Sequence, residues 1–362
     1  MKYLEEYRNP LLAKALLDRI AAAANRVGRP VTIMEVCGSH TQAIGRYGIR
    51  KLLPPGIRLI SGPGCPVCVT SASDVDKALW LAGREGLIFT TFGDMMRVPG
   101  TGGASLQRLR ASGADVRVVS SALDCIALAE KEPKREVVFM GIGFETTAPT
   151  VASMVRTSRK KGIGNLSVFS VHKIVPPALR LLIRDPEIKL DGFLCPGHVS
   201  IMLGSAAYAF LPEAGKAAII AGFEPVDIIE GVWLLLEQLG KGVPEVVIQY
   251  SRVVRPEGNP RAMAVMEEVF ETRDAQWRGL GTIPESGLSL RAAYAEFDAE
   301  RRFAVPGIQA EDNPGCSCGT VLRGVMDPEE CPLFRRLCTP ANPVGPCMVS
   351  SEGSCAAHYR YG

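Results

Sequence analysis

Six cysteines between Glu311 and Tyr359, interleaved with six prolines, constrain this chain more than any other feature. Pro314, Pro328, Pro332, Pro340, Pro343 and Pro346 break helices and sheets alike, so the stretch cannot build an apolar core from regular elements of its own. Cross-linking through Cys316, Cys318, Cys331, Cys338, Cys347 and Cys355 is expected to hold it together. Three chemistries compete. Structural zinc usually uses two close Cys-x-x-Cys knuckles, which the segment lacks. Disulfides belong to oxidising compartments. Four thiolates drawn from wide intervals suit a larger object, and an iron–sulfur cluster is the reading that fits best.

The remainder is ordinary globular sequence. A length of 362 residues, 47% of them hydrophobic, allows two or three domains with sizeable cores. Net charge is only +3, and the densest basic runs, Arg159-Lys160-Lys161 and Arg335-Arg336, are too short for a nucleic-acid footprint, so no nucleic-acid partner is expected. The opening MKYLEEYRNP is charged, and no run approaches the roughly 18 apolar residues of a membrane span. A cytoplasmic chain with no membrane partner is therefore expected. In that compartment eleven cysteines beside four histidines point to metal or redox chemistry rather than a disulfide scaffold.

From the N-terminus, an amphipathic helix over about Pro10 to Val27 precedes apolar strands at Val31–Val36 and Arg58–Ser61. These stop at Cys37-Gly-Ser-His40-Thr and at Gly62-Pro-Gly-Cys65-Pro-Val-Cys68. Helical patterns follow at Gln42–Leu53 and Asp74–Arg84, the second with a loose capping box from Ser73 and Asp76. Strands at Leu87–Thr91 and Val116–Ser120 and a helix at Ala122–Lys131 continue the alternation, which implies parallel strands with crossover helices. The charged stretch Glu132-Pro-Lys-Arg-Glu136 reads as a linker. A second series has strands at Val137–Gly141, Leu166–Val171, Gly192–Leu194, Ala218–Gly222 and Val246–Tyr250, followed by a helix from Pro260 to about Trp277. The expected fold class is α/β: two Rossmann-like parallel-sheet domains, 1–132 and 133–256, facing a cleft, and a helical, irregular iron–sulfur domain over 257–362.

Ligands bind open parallel sheets at the carboxyl ends of the strands. Cys37, His40, Cys65, Cys68, Asp94, Glu145 and His198 all fall at such ends, and facing sheets would bring them together. Gly141-x-Gly143-x-x-Thr146 lacks the third glycine of a dinucleotide fingerprint and there is no phosphate-binding P-loop, so nucleotide binding is unsupported. Cys65 and Cys68 lie just ahead of a helix start, where the dipole favours thiolate, as a redox pair needs. The competing reading is half a zinc site completed by Cys37 and His40. Cys37 with His40 could be nucleophile and base, a soft ligand with its supporting imidazole, or simply a buried thiol and a loop histidine. Asp94, Glu145 and His198 could each merely cap a helix or close an ion pair. Cys125 and Cys195 read as core thiols, while His172 and His358 stay unassigned.

In order along the chain, Cys37-Gly-Ser-His-Thr, Gly-Pro-Gly-Cys65-Pro-Val-Cys68, Gly-Phe-Glu145-Thr-Thr, Pro-Gly-His198-Val-Ser and the tail Cys338-Thr-Pro…Pro-Val-Gly-Pro-Cys347-Met-Val-Ser-Ser-Glu-Gly resemble the HypD family of hydrogenase maturation factors. The resemblance spans essentially the whole chain and departs at Gln42, where that family more often has histidine. It implies assembly of the Fe(CN)2CO group of [NiFe] hydrogenases with the chaperone HypC and the cyanide donor HypE, serving the hydrogenase large subunit indirectly. It also implies a [4Fe-4S] cluster on Cys318, Cys331, Cys338 and Cys355, spaced Cys-x12-Cys-x6-Cys-x16-Cys, which leaves Cys316 and Cys347 over. By the same resemblance Cys37 is an iron ligand, and Cys65 and Cys68 are a thiol relay.

The residues agree with that chemistry. Releasing cyanide from a protein thiocyanate takes two electrons, whereas a [4Fe-4S] cluster passes one at a time, and a dithiol can hold the pair. Iron carrying cyanide and CO is low-spin and soft, which suits thiolate ligands such as Cys37. A scaffold with redox activity is one expectation. A stand-alone dithiol–disulfide oxidoreductase fed by its cluster is the other, and dependence on a partner protein separates them.

Overall fold

The computed structural model describes residues 5–362; Met1–Leu4 of the charged opening stretch lie outside it. The alternating pattern folds as read, into strands β1 (Val31–Glu35), β2 (Ile57–Ser61), β3 (Leu87–Thr91), β4 (Val116–Val118), β5 (Glu136–Gly141), β6 (Leu166–Ser170), β7 (Gly192–Pro196), β8 (Ala217–Ala221) and β9 (Val246–Ile248). All of these pair in parallel, as strands separated by crossover helices must. β3, β7 and β8 are buried at every position, which explains their unbroken apolar runs: helices or the other sheet cover both faces.

The division between sheets is not the one expected at residue 132. One sheet has the order β2-β1-β7-β8-β9 and the other β4-β3-β5-β6, so the chain leaves the first sheet after β2, builds the whole second sheet, and returns at β7. The charged stretch at Glu132–Glu136 is a crossover within the second sheet, because β3 on one side of it pairs directly with β5 on the other. Local polarity marks an exposed turn there and says nothing about which strands the flanking segments seek.

The region 257–362 also departs from expectation. The helix begun at Pro260 stops at Val269, and Phe270–Trp277 becomes β10, antiparallel to β11 (Gly281–Leu290). Gly279 and Gly281, at φ 74° and 75°, turn the hairpin in a conformation that favours glycine. Earlier, the helix expected over Gln42–Leu53 starts sooner, at Gly38, and breaks at left-handed Gly48 (φ 63°). The cap expected from Ser73 is supplied by Ser71, whose Oγ accepts the Asp74 N–H at 3.0 Å. Ser73 instead accepts the Ala310 N–H, and Asp76 binds Thr101. The cysteine segment does not stand apart: Cys318, Cys338, Cys347 and Cys355 belong to one core that runs between the two sheets. Among the described residues no helix is long and apolar enough to cross a membrane.

Candidate functional site

The site begins with two loops that cross. β1 ends at Cys37, which is extended (φ −147°) and caps the helix Gly38–Arg46. β2 ends at Gly62-Pro63-Gly64, with Cys65 capping the short helix Pro66–Val69. The Gly38 N–H donates to the Gly64 carbonyl at 2.9 Å. A Cβ on Gly64 would lie less than 3.0 Å from the backbone of Val36 and Cys37, so only glycine lets the second loop pass over the first. That crossing sets Cys37 beside the cysteine pair. Cys65 and Cys68 are joined in a disulfide with Cα atoms 5.3 Å apart, and the Cys68 N–H donates to Cys65 Sγ at 3.3 Å. In that oxidised form neither sulfur is free to ligate zinc.

Cys37 is buried, and desolvation together with the Glu352 carboxylate pushes its thiol up to about 12, against the opposing backbone N–H groups of His40 and Ser39. It is therefore a neutral thiol. His40 is fully buried, with Nε2 donating to the Gly222 carbonyl at 2.9 Å and the Ala221 carbonyl at 3.2 Å. These bonds fix the tautomer and leave Nδ1 without a partner among the described residues. Burial lowers the imidazole to about 4. A base that weak does not deprotonate a thiol that reluctant, so His40 positions the loop: its ring anchors to the end of β8 and its backbone N–H serves the Cys37 sulfur.

His198 opens the helix Gly197–Leu203 and stacks on Phe223 with ring centroids 3.9 Å apart, and Phe223 also faces His40 at 5.0 Å. Asp94 is reached through the tail: Ser350 Oγ donates to Asp94 Oδ2 at 2.7 Å, and the Glu352 N–H donates to Ser350 Oγ at 3.3 Å. Ser39 Oγ then donates to Glu352 Oε1 at 2.8 Å. Burial raises the Glu352 carboxyl. Gly38 is glycine because a Cβ there would strike Glu352. Glu145 stands apart from this group. Its Oε1 accepts the Val175 N–H at 2.9 Å, the first amide of the helix Val175–Leu182, and no hydrogen bond or ion pair joins it to the thiols among the described residues.

The tail cysteines converge. Cys318 starts the helix Cys318–Leu322, Cys331 follows the turn Pro328–Glu330, and Cys355 lies in the last helix, Ser354–Tyr361. These three, with Cys338 and Cys316, line one small cavity closed by Val321, Leu333, Phe334 and Met348. Cys347 is wholly buried and lies against the thiols of Cys318 and Cys355, which drive its own thiol well up. Hydrogen bonds from Cys318 and Cys347 in turn lower Cys355 to about 6. A Cβ on Gly345 would meet Cys316 Sγ at 2.5 Å and Cys318 Sγ at 2.6 Å, so the loop is bare where sulfurs crowd. Soft thiols within apolar walls are the donor type and surroundings that an iron–sulfur cluster takes, although among the described residues no three His, Cys, Asp or Glu side chains are placed to hold a metal ion. The turn Pro346–Met348, which carries Cys347, packs directly on the Pro66–Val69 helix that carries Cys68.

Residues 11–362 match the family model described as "HypD: Hydrogenase formation hypA family". The chain belongs to the HypD family. It is 48% identical to hydrogenase maturation factor HypD2 of Bradyrhizobium diazoefficiens, and 47% identical to hydrogenase maturation factor HypD of Cupriavidus necator. In each case all of this chain and 97% of the relative are covered. The HypD of Escherichia coli is 43% identical over all of this chain and 98% of its own. Among solved structures, D-threo-3-hydroxyaspartate dehydratase from Delftia sp. HT23 aligns at 12% identity with a TM-score of 0.17, over 81% of this chain and 86% of its own, too little to argue from.

In this HypD-family fold, Cys37, His40, Cys65, Cys68, His198 and Asp94 are linked by contacts into one group, and Cys318, Cys331, Cys338 and Cys355 into another. Sequence reasoning missed Glu352, Ser350 and Ser39, the polar bridge between Cys37 and Asp94. The signal was present: Glu352 and Ser350 lie inside the tail motif Cys347-Met-Val-Ser-Ser-Glu-Gly, where only the cysteine drew attention. The histidines left unassigned are structural in their contacts. His172 is buried against Ser170 Oγ at 3.0 Å and lowered to about 3, and His358 pairs with Glu329 at 2.7 Å. Cys125 and Cys195 are buried in the core, as read.

Proposed function

We propose that the chain is a redox-active scaffold for assembling the Fe(CN)2CO group in hydrogenase maturation, working with HypC and HypE-type partners. The observation that carries this is the crossing of the two loops, which holds one buried thiol, Cys37, beside a separate buried disulfide. Iron is the cargo. Cys37, with a cysteine from the partner, would bind it; Fe2+ offers the charge that a thiol held at about 12 needs before it releases its proton, and Glu352 is the adjacent carboxylate positioned to accept it. The two electrons for each cyanide come from Cys65 and Cys68. As the dithiol closes to a disulfide, the thiocyanate's S–C bond breaks; one of the two dithiol protons goes to its sulfur, which leaves as a thiol, the other goes to solvent, and cyanide passes to iron. Cys318, Cys331, Cys338 and Cys355 would hold the [4Fe-4S] cluster, which when bound supplies single electrons to regenerate the dithiol. The Cys347 turn packed on the Cys68 helix supports a short route between the two sites.

The competing reading, a stand-alone oxidoreductase acting on free disulfides, needs a sulfur that a substrate can attack. Cys65 is 3% exposed and Cys68 0%, which favours the scaffold. Infrared spectra of the complex with HypC test it. Cyanide and CO bands are expected from the unaltered chain and should vanish in Cys37→Ala, while the visible absorption of the tail cluster persists. Unchanged bands in that variant would move the iron elsewhere.

A further inference from the structure

Two cavity-lining cysteines, Cys331 and Cys338, are joined by a loop whose tip, Arg335-Arg336-Leu337, stands in solvent. Leu337 is 66% exposed, an unusual place for a leucine only three residues from a turn that lines an apolar cavity. Arg335 sits at φ 58°, a left-handed conformation that a bulky residue adopts only when its surroundings hold it there. Its Nη2 donates to the carbonyls of His358 at 3.2 Å and Tyr359 at 3.3 Å, and its guanidinium lies 5.6 Å from the ring centroids of both Phe334 and Tyr359. These contacts fix the side chain against the last helix.

No Asp or Glu side chain pairs with Arg335 or Arg336 among the described residues, although Arg335 Nη2 also lies 3.5 Å from the Gly362 oxygen. The acids on the adjoining turn are already engaged: Glu329 with His358, Glu330 with the Asp327 N–H, and Asp327 with Arg58. Arg97 adds a third exposed cation beside the loop, its Nη1 donating to the Pro340 carbonyl at 2.8 Å. From Cys331 to Cys347 the sequence holds two arginines and no carboxylate. Cys331 itself is partly exposed, as is Cys316, so the sulfur cavity comes near solvent under this cationic, apolar-tipped loop as well as at Cys316.

We propose that this tip is the docking surface for a small acidic one-electron carrier protein of the [2Fe-2S] ferredoxin class, entering next to Cys331. The proposal rests on the cluster reading of the tail cysteines. Cations around one exposed leucine are the complement of an acidic rim around an apolar centre, and a few cations with little buried area suit an encounter that must dissociate after each electron. Each docking oxidises the carrier by one electron. Two dockings and two protons convert the Cys65–Cys68 disulfide into two thiols. A nucleic acid would need a longer basic footprint than this.

The test uses the full chain with its cluster reconstituted anaerobically and an acidic [2Fe-2S] ferredoxin as probe. Calorimetric binding at low salt is expected to weaken by about tenfold or more in Arg335→Glu/Arg336→Glu, and to weaken likewise in the unaltered chain at high salt. Arg336→Glu alone, which leaves the Arg335 contacts intact, should give part of the loss; Lys160→Glu, a charge reversal on another face, should give none. Dithionite needs no docking, so it should bleach the cluster band equally in every variant. Unchanged ferredoxin binding in Arg336→Glu and in the double variant, with normal bleaching, overturns the docking surface and leaves the cluster reading standing. No bleachable band in the unaltered chain overturns both.

Discussion

A carboxyl with neither solvent nor a cation beside it loses more by ionising than one backbone hydrogen bond returns. Glu145 is in that position: burial raises it to about 7, and only the amide bonds oppose the shift. Because the folded value lies above the unfolded one, its contribution to stability is complete below the unfolded pKa and is lost as pH rises to about 7. The full loss amounts to roughly 3 kcal/mol. Glu145→Gln keeps an oxygen for the Val175 N–H and cannot ionise. Buried His40 and His172, both held neutral, gain stability over the same range in either chain, so the difference is what reports Glu145. Urea unfolding should therefore show the unaltered chain losing stability relative to the variant between pH 5 and pH 8; a difference that does not change with pH would place the titrating group elsewhere. Gly64 makes a steric prediction at the same scale. Since a Cβ there meets backbone rather than a movable side chain, Gly64→Ala should cost about 1–3 kcal/mol, read as a lower Tm, and should spread the Cys37 and Cys65 loops.

The elements themselves were largely legible in the sequence. Apolar runs with glycine- and cysteine-rich ends marked β1 to β9, because a buried parallel strand has no polar face to disguise it. What failed to show was any switch made by contacts distant in sequence. Phe270–Trp277 continues a helical pattern locally, yet it pairs with Gly281–Leu290 and lies close to the isolated bridge at Thr70. The tail cysteines were legible as a set but not as a geometry. Cys347, which the wide spacing left over, touches two of the four expected ligands, and Cys316 lines the cavity with them. Serine at Cys318, Cys331, Cys338 or Cys355 should remove the visible absorption of the reconstituted chain and loosen the tail, since its prolines cannot fold alone. Cys316→Ser and Cys347→Ser should retain it. The reverse pattern in anaerobic iron and sulfide analysis would exchange members of the ligand set.

At the scale of the whole molecule, the sheets are interleaved so that neither can form without residues from both sides of position 132. β1, the centre of its sheet's first half, hydrogen-bonds to β2 on one edge and to β7 on the other, across a separation filled by the entire second sheet. β3 likewise needs β5. This is why the polar stretch at Glu132–Glu136 misled: a domain boundary shows in composition only when the chain crosses it once, and here the chain crosses between sheets twice, at apolar strands. The arrangement also explains how the Cys37 loop and Asp94, from different sheets, are joined through the tail residues Ser350 and Glu352, and why the thiol cleft depends on the complete fold. A fragment of residues 1–132 would present β1 and β3 as unpaired edges with their apolar faces bare. It should lack cooperative unfolding in urea, disperse poorly in amide NMR spectra, and leave Cys37, and after reduction Cys65 and Cys68, open to alkylation that the equally treated full chain resists by burial. A well-dispersed spectrum with protected thiols from that fragment would show that the first half folds by itself and that the return of β7 is an addition rather than a requirement.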